Sequence, residues 1–320
     1  YEWVAPQLAA RNMKATAVIT AQYASSYINN WKSYIATGAF DIGSHSLKHG
    51  SGFDSDPADE QVLMTEIDNA HFTFMNWFPG QRVLGFATPN GKTSNGCADF
   101  VNDLMLAGRS GGQAGTYCDP DTLTSRGTWG NLPSYVAYAT TKFDGTSSAD
   151  GVSYKGAIDY LASKKLWTVE CIHTIYTGAE NESDIAGDKF STNKFVFEKK
   201  LDYFITKGVW VASYTEAASY FREAHAAEIK DMTIEGTAVS FEVTDGLDDT
   251  MLVQPLTFQF ALPSGWTNVT VTQNGVEIPM VSSSDYKPNM AEDMACTIIN
   301  GTLYFDAVPD GGEVVITKAN

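Results

Sequence analysis

Short apolar runs alternate with amphipathic stretches along residues 1–230, and this alternation predicts repeated strand-helix units around a mostly parallel sheet. The predicted strands are Ala15 to Thr20, Phe40 to Ser44, Val83 to Ala87, Trp167 to His173 and Val209 to Ser213. Between them, Leu63, Ile67, Ala70, His71 and Phe74 fall on one stripe at helical spacing, which reads His71 as a packed side chain. A last helix over Thr215 to Ile229 places His225 on a solvated face. From residue 231 to 320 the period changes to two. Val269 and Val271 alternate with threonines, Asn274-Gly275 signals a two-residue hairpin, and Val276 and Ile278 resume the alternation. A separate antiparallel β-sandwich is the expectation for this segment. Such an appendage is able to bind carbohydrate, yet aromatics such as Trp266 and Tyr304 fit a core equally well, and packing or docking is the reading preferred.

Composition narrows the partners. Lys plus Arg number 21 against 38 Asp plus Glu, a net charge of −17, which opposes binding to a nucleic-acid backbone or an anionic membrane. No run of apolar residues is long enough to span a bilayer. The chain opens inside a helical pattern, Tyr1 to Leu8, without a signal peptide, so a preceding segment is expected. Cys97, Cys118, Cys171 and Cys296 lack the C-x-x-C spacing of zinc ribbons and redox motifs. Cys97 and Cys118 lie in loop-like sequence and would be able to pair in an oxidising compartment, whereas Cys171 reads as buried filler.

The candidate chemistry begins at Gly43-Ser44-His45-Ser46-Leu47-Lys48-His49, where two of the five histidines stand four residues apart after a strand. Two neutral imidazoles at that spacing are able to aim at one metal ion, although two surface histidines in a polar loop fit the pair alone. A second strand runs into Thr88-Pro89-Asn90-Gly91, and a third delivers His173 at its end. In an α/β fold, loops at the C-terminal ends of parallel strands gather such residues on one rim.

In this order, these residues resemble the polysaccharide deacetylases of carbohydrate esterase family 4, the NodB-homology group, over most of residues 1–225. Gly43 to His49 is similar to the family's H-[ST]-x-x-H metal motif, Phe86 to Gly91 to its third motif, and Glu170-Cys171-Ile172-His173 to the strand ending in its catalytic histidine. The resemblance implies a distorted (β/α) barrel and hydrolysis of an acetylated polysaccharide or oligosaccharide by metal-bound water. His45 and His49 would be the metal ligands, Zn2+ the expected ion, and His173 the acid that protonates the leaving group. Pro89 and Asn90 would line the substrate and oxyanion side. It also implies a secreted or periplasmic setting.

Two departures stand out. The family's T-F-D-D-G motif, source of the base and the third ligand, has no match in residues 1–40, so a strand bearing it is expected before Tyr1. Asp245-Gly246-Leu247-Asp248-Asp249 is only an echo, in the wrong context. Ala87 stands where many members carry arginine. Asp41 is expected to point away from the ion, and Asp54 to complete the site if no upstream aspartate exists, an arrangement that would also suit a non-haem iron oxygenase on an unlike fold. The rival to an enzyme is a catalytically inactive carbohydrate-binding protein on the same barrel.

Overall fold

The computed structural model describes residues 1–111, 117–123, 126–136, 138–145, 153–185, 187–286 and 294–319. The chain divides into two units, Tyr1–Thr215 and Glu216–Asn320.

In the N-terminal unit, β1 (Ala15–Ile19), β2 (Phe40–Ser44), β3 (Gly85–Ala87) and β4 (Ala107–Arg109) form a parallel sheet in that order. Parallel pairs follow, β5 (Ser134–Val136) with β6 (Val169–Cys171) and β7 (Thr174–Tyr176) with β8 (Ser191–Asn193). A single parallel bridge from Arg109 to Leu132 carries the order from β4 towards β5. Among the described residues no sheet closes on itself, so the mixed α/β content fits the expected class without showing a complete barrel.

Register gives the four-stranded sheet two faces, because side chains alternate along each strand. Ala17, Ile19, Phe40 and Ile42 pack with Leu8, Phe74 and Phe78, and Phe86 packs with Leu63, Ile67 and Val101. Full burial of a phenylalanine such as Phe74 or Phe86 stabilises by roughly 2–3 kcal/mol. The opposite face carries Thr16, Val18, Asp41, Gly43, Gly85, Ala87 and Arg109. Apart from Val18 and Ala87 it is polar or lacks side chains, and Tyr214 with Thr215 fills the space that a Cβ on Gly85 would occupy.

Three expected strands change. Val83 adopts φ +49°, so β3 begins only at Gly85. The stretch ending in His173 breaks after Cys171, where the His173 N–H turns to the Phe190 carbonyl at 2.8 Å. Val209 to Ser213 is not a strand. It meets the start of β1 through one backbone bond, Lys14 N to Val211 O at 3.3 Å, and then enters the helix Tyr214–Ala226.

The C-terminal unit holds two antiparallel sheets. One has the order β13 (Val276–Ile278), β12 (Val269–Gln273), β16 (Val314–Lys318), β10 (Ala238–Thr244), β9 (Glu228–Glu235), and the other β11 (Leu256–Ala261), β15 (Thr302–Ala307), β14 (Cys296–Ile299). Both contribute to one apolar core, with Val239, Phe241, Val271 and Ile316 from the first and Leu303, Phe305 and Cys296 from the second. Asn274 and Gly275 take φ +50° and +75°, the left-handed pair that the hairpin signal requires.

Candidate metal and catalytic site

His45 follows β2 directly, and the loop it opens is fixed at almost every backbone group. Its N–H bonds Ile19 O at 2.8 Å, its carbonyl accepts from Thr20 Oγ1 at 3.3 Å, and Ala21 N and Gln22 N bond Ser46 O and Leu47 O. Ser46 and His49 both take positive φ, 69° and 58°, which winds the loop tightly. Ser46 Oγ accepts from His49 N at 2.8 Å. Glu66, buried in the π-helical stretch Leu63–Asp68, accepts from Lys48 N at 2.9 Å and Gly50 N at 3.4 Å through one carboxylate oxygen. A Cβ at Gly50 would meet that carboxylate at 2.9 Å, so a larger residue there would displace Glu66. Glu66 was outside the sequence reading, since a carboxylate inside an apolar stripe carries no motif.

The two imidazole rings stand 4.8 Å apart at 80°. His45 Nδ1 lies 2.7 Å from Ala87 O, and a carbonyl only accepts, so Nδ1 carries the proton and Nε2 keeps its lone pair. Burial lowers the His45 pKa to about 4, the Ala87 bond opposes this, and the charges of Arg109, His49 and His173 lower it further. A neutral imidazole oriented through its second nitrogen fits a metal ligand. Among the described residues, however, no Asp, Glu or Cys forms a group of three with this pair. Asp54 is exposed and does not complete the set. Asp41 turns to the polar face of the sheet and accepts from Thr215 Oγ1 on Oδ2, while Oδ1 is buried without a partner. Its pKa is raised by burial, against the hydrogen bonds of Thr215, Thr16 and Ser213.

At the third strand end, His173 Nδ1 lies 3.2 Å from Asp188 Oδ2, and Asp188 Oδ1 accepts from Phe190 N at 2.9 Å. The histidine side chain is 51% exposed. Asp188 is thus the carboxylate partner that sequence alone left unnamed, fifteen residues on in the chain. Behind His173, Glu170 of β6 pairs with the fully buried Lys200 at 2.7 Å, and the ammonium lies 4.7 Å from the Tyr154 ring centroid.

Thr88 N bonds Arg109 O at 3.0 Å, which ties the Pro89–Gly91 turn to β4. Pro89 is buried and has no N–H, and Gly91 N is taken by Thr88 O, so Asn90, with φ +58°, supplies the turn's remaining amide. Ala87 pairs across the ladder with Arg109. The cation absent at position 87 therefore stands on the neighbouring strand and the same face.

All four thiols are free, and no Cys97–Cys118 bridge forms: Cys97 is buried among Phe86, Val101 and Met105, and Cys118 Sγ donates to Trp167 O. Cys171 is buried as expected, His71 is buried on its stripe, and His225 is exposed. Asp245 and Asp249 do cluster, but with Asp310 in the C-terminal unit, with ligand atoms within 4.8 Å.

Residues 1–107, about a third of the chain, match the model of the polysaccharide deacetylase family. Over 309 residues the chain is 25% identical to a gellan lyase from a Bacillus species, an alignment that takes in 90% of this chain and 11% of that protein. The chain thus spans about a tenth of that relative's length, 11%. Among solved structures it is similar to a probable polysaccharide deacetylase from Pseudomonas aeruginosa PAO1, with TM-score 0.44 and 15% identity over 69% of this chain and 72% of that one. It is also similar to the carbohydrate esterase family 4 domain of a multidomain xylanase from the hindgut metagenome of Trinervitermes trinervoides, with TM-score 0.35 and 12% identity over 70% and 84% of the two chains.

Proposed function

We propose that this chain carries out metal-dependent hydrolytic deacetylation of an acetylated polysaccharide or oligosaccharide, on a (β/α) barrel followed by a β-sandwich. The carrying observation is the pair of imidazoles 4.8 Å apart, one already oriented through Ala87 O, on a rim whose charges include His173. His45 and His49 would hold a divalent ion, most simply Zn2+, which supplies Lewis acidity toward an acetyl carbonyl and toward water. The remaining work falls to this chain's side chains and amides. Asn90 N–H donates to the developing oxyanion, a contact typically worth about 3 kcal/mol in the transition state. His173, its Nδ1–H committed to Asp188, turns Nε2 to the leaving atom and protonates it. Arg109 takes the place of the arginine missing at Ala87, and its charge bears on His45. Secretion or a periplasmic setting accompanies this reading, and among the described residues no helix is long and apolar enough to cross a membrane.

One observation favours the second reading, a catalytically inactive carbohydrate-binding protein: no carboxylate among the described residues joins His45 and His49. Elemental mass spectrometry of the purified chain, beside a His45→Ala, His49→Ala double variant, separates the two. About one ion per wild-type chain, lost in the variant and accompanied by acetate release, supports the hydrolase. A folded wild type that takes up no zinc sinks it.

A further inference from the structure

Alternation gives the three-stranded sheet of the C-terminal unit two unlike faces. Phe258, Phe260, Leu303 and Phe305 join the core, while Thr257, Gln259, Tyr304 and Asp306 take the other side. Over that outer side lies a cavity of about 480 Å³. Its floor is Thr257, Gln259 and Tyr304, Tyr220 and Tyr286 line it as well, and Ile299 adds an exposed apolar edge. The Tyr286 and Tyr304 rings lie 6.5 Å apart, inclined at 53°.

This surface is held in place from beneath. Asp306, fully buried, accepts from Thr257 Oγ1 and Tyr286 Oη, both at 2.8 Å, and from Ala295 N at 3.2 Å. Two lining side chains therefore keep one orientation before any ligand arrives, which lowers the ordering cost of binding. Among the described residues no lining side chain is charged, although the chain as a whole carries −17. Aromatic rings offer faces to the C–H face of a pyranose, and amide and hydroxyl groups match its hydroxyls. A polyanion finds no cation among the described lining residues. An extended peptide finds the face of a sheet rather than an open edge with free backbone groups.

We propose that this groove is a binding site for a neutral polysaccharide strand, with sugar rings stacked on the tyrosines and hydroxyls bonded to Gln259. The choice of glycan over peptide rests on the polysaccharide reading of the N-terminal unit. The site would keep that chain's substrate near the polypeptide between catalytic events, as linked binding modules do.

Affinity electrophoresis of the whole chain through gels containing acetylated xylan, glycol chitin or the anionic polysaccharide gellan tests this. Retardation by at least one neutral polysaccharide is expected, weakened roughly tenfold by Tyr304→Ala and about threefold by Gln259→Ala, and kept by Tyr304→Phe. The His45→Ala, His49→Ala double variant should be retarded like wild type, so loss of acetate release with retained binding separates this site from the hydrolytic one. Thermal melts identify any variant that fails to fold, and the exposed Gln259→Ala remains readable if Tyr304→Ala does not. The proposal is overturned by no retardation in either neutral gel, by retardation in gellan alone, or by retardation that Gln259→Ala and a folded Tyr304→Ala leave unchanged.

Discussion

The two units place their polar chemistry in different ways. In the N-terminal unit the strands β1 to β4 have three to five residues, and the histidines stand just beyond strand ends, in loops held by backbone bonds and carboxylates. In the C-terminal unit β10, β11 and β15 have six or seven residues, and polar side chains stand on the strand faces. A strand end aims few side chains at a point, which suits a reaction. A strand face spreads them along a line, which suits a polymer. The supporting carboxylates differ as well. Glu66, Glu170 and Asp188 each meet a cation or an N–H, and Glu223 of the C-terminal unit, fully buried, accepts from Gln254 N at 2.8 Å and Ser219 Oγ at 3.2 Å on Oε1 but leaves Oε2 unpaired.

The largest effect on this contrast is expected at Lys200. Lys200→Ala leaves Glu170 without its buried partner and should cost roughly 3–5 kcal/mol in urea unfolding, while Lys200→Met with Glu170→Gln should recover most of it. A loss under about 1 kcal/mol for the single variant would mean that the pair is solvated. Glu66→Ala comes next, at about 2–3 kcal/mol, together with faster hydrogen exchange at Lys48 and Gly50 and weaker ion uptake. Unchanged exchange at those two amides would remove the claim that Glu66 fixes the histidine loop.

Glu223 should report through pH. Its pKa is raised by burial, with Asp245 and Asp249 adding to the shift, from 4.5 to about 7. The folded state therefore binds more protons than the unfolded state between these values. Its contribution is fully present below about pH 4.5 and is lost as pH rises through about 7. Glu223→Gln should flatten that slope and stabilise the chain at pH 8, by on the order of 1–3 kcal/mol. An unaltered pH slope in the variant would assign the dependence elsewhere. Asp188→Asn should scarcely move stability, by under about 1 kcal/mol, because the His173 pair is half exposed. It should still slow acetate release by roughly 10-fold to 100-fold.

Periodicity carried much of this. β1 and β2 lie where their apolar runs place them, and the Asn274-Gly275 hairpin takes the φ values its composition demands. The stripe that assigned His71 to the core is buried as read. What the sequence could not show are contacts made across many residues by groups with no local pattern: Arg109 opposite Ala87, Glu66 under the histidine loop, Asp188 against His173. Strands of three residues, such as β4, β5 and β8, are too short for alternation to register. Val209 to Ser213 has the apolar content of a strand but forms a single ladder-like bond, because its end is drawn into the helix that begins at Tyr214. Composition favours packing for Tyr304, but its register opposite Gln259 puts it on the outer face, in the groove.

The meeting of Gly85 and Tyr214 has a consequence for how relatives vary. Tyr214 fills the room left by the missing Cβ, with its hydroxyl buried and unbonded. Any side chain at 85 meets both Tyr214 and Thr215 Cγ2, so the three positions should drift together across an alignment, and a lone Gly85→Ala should be rescued by Tyr214→Ala with Thr215→Ser.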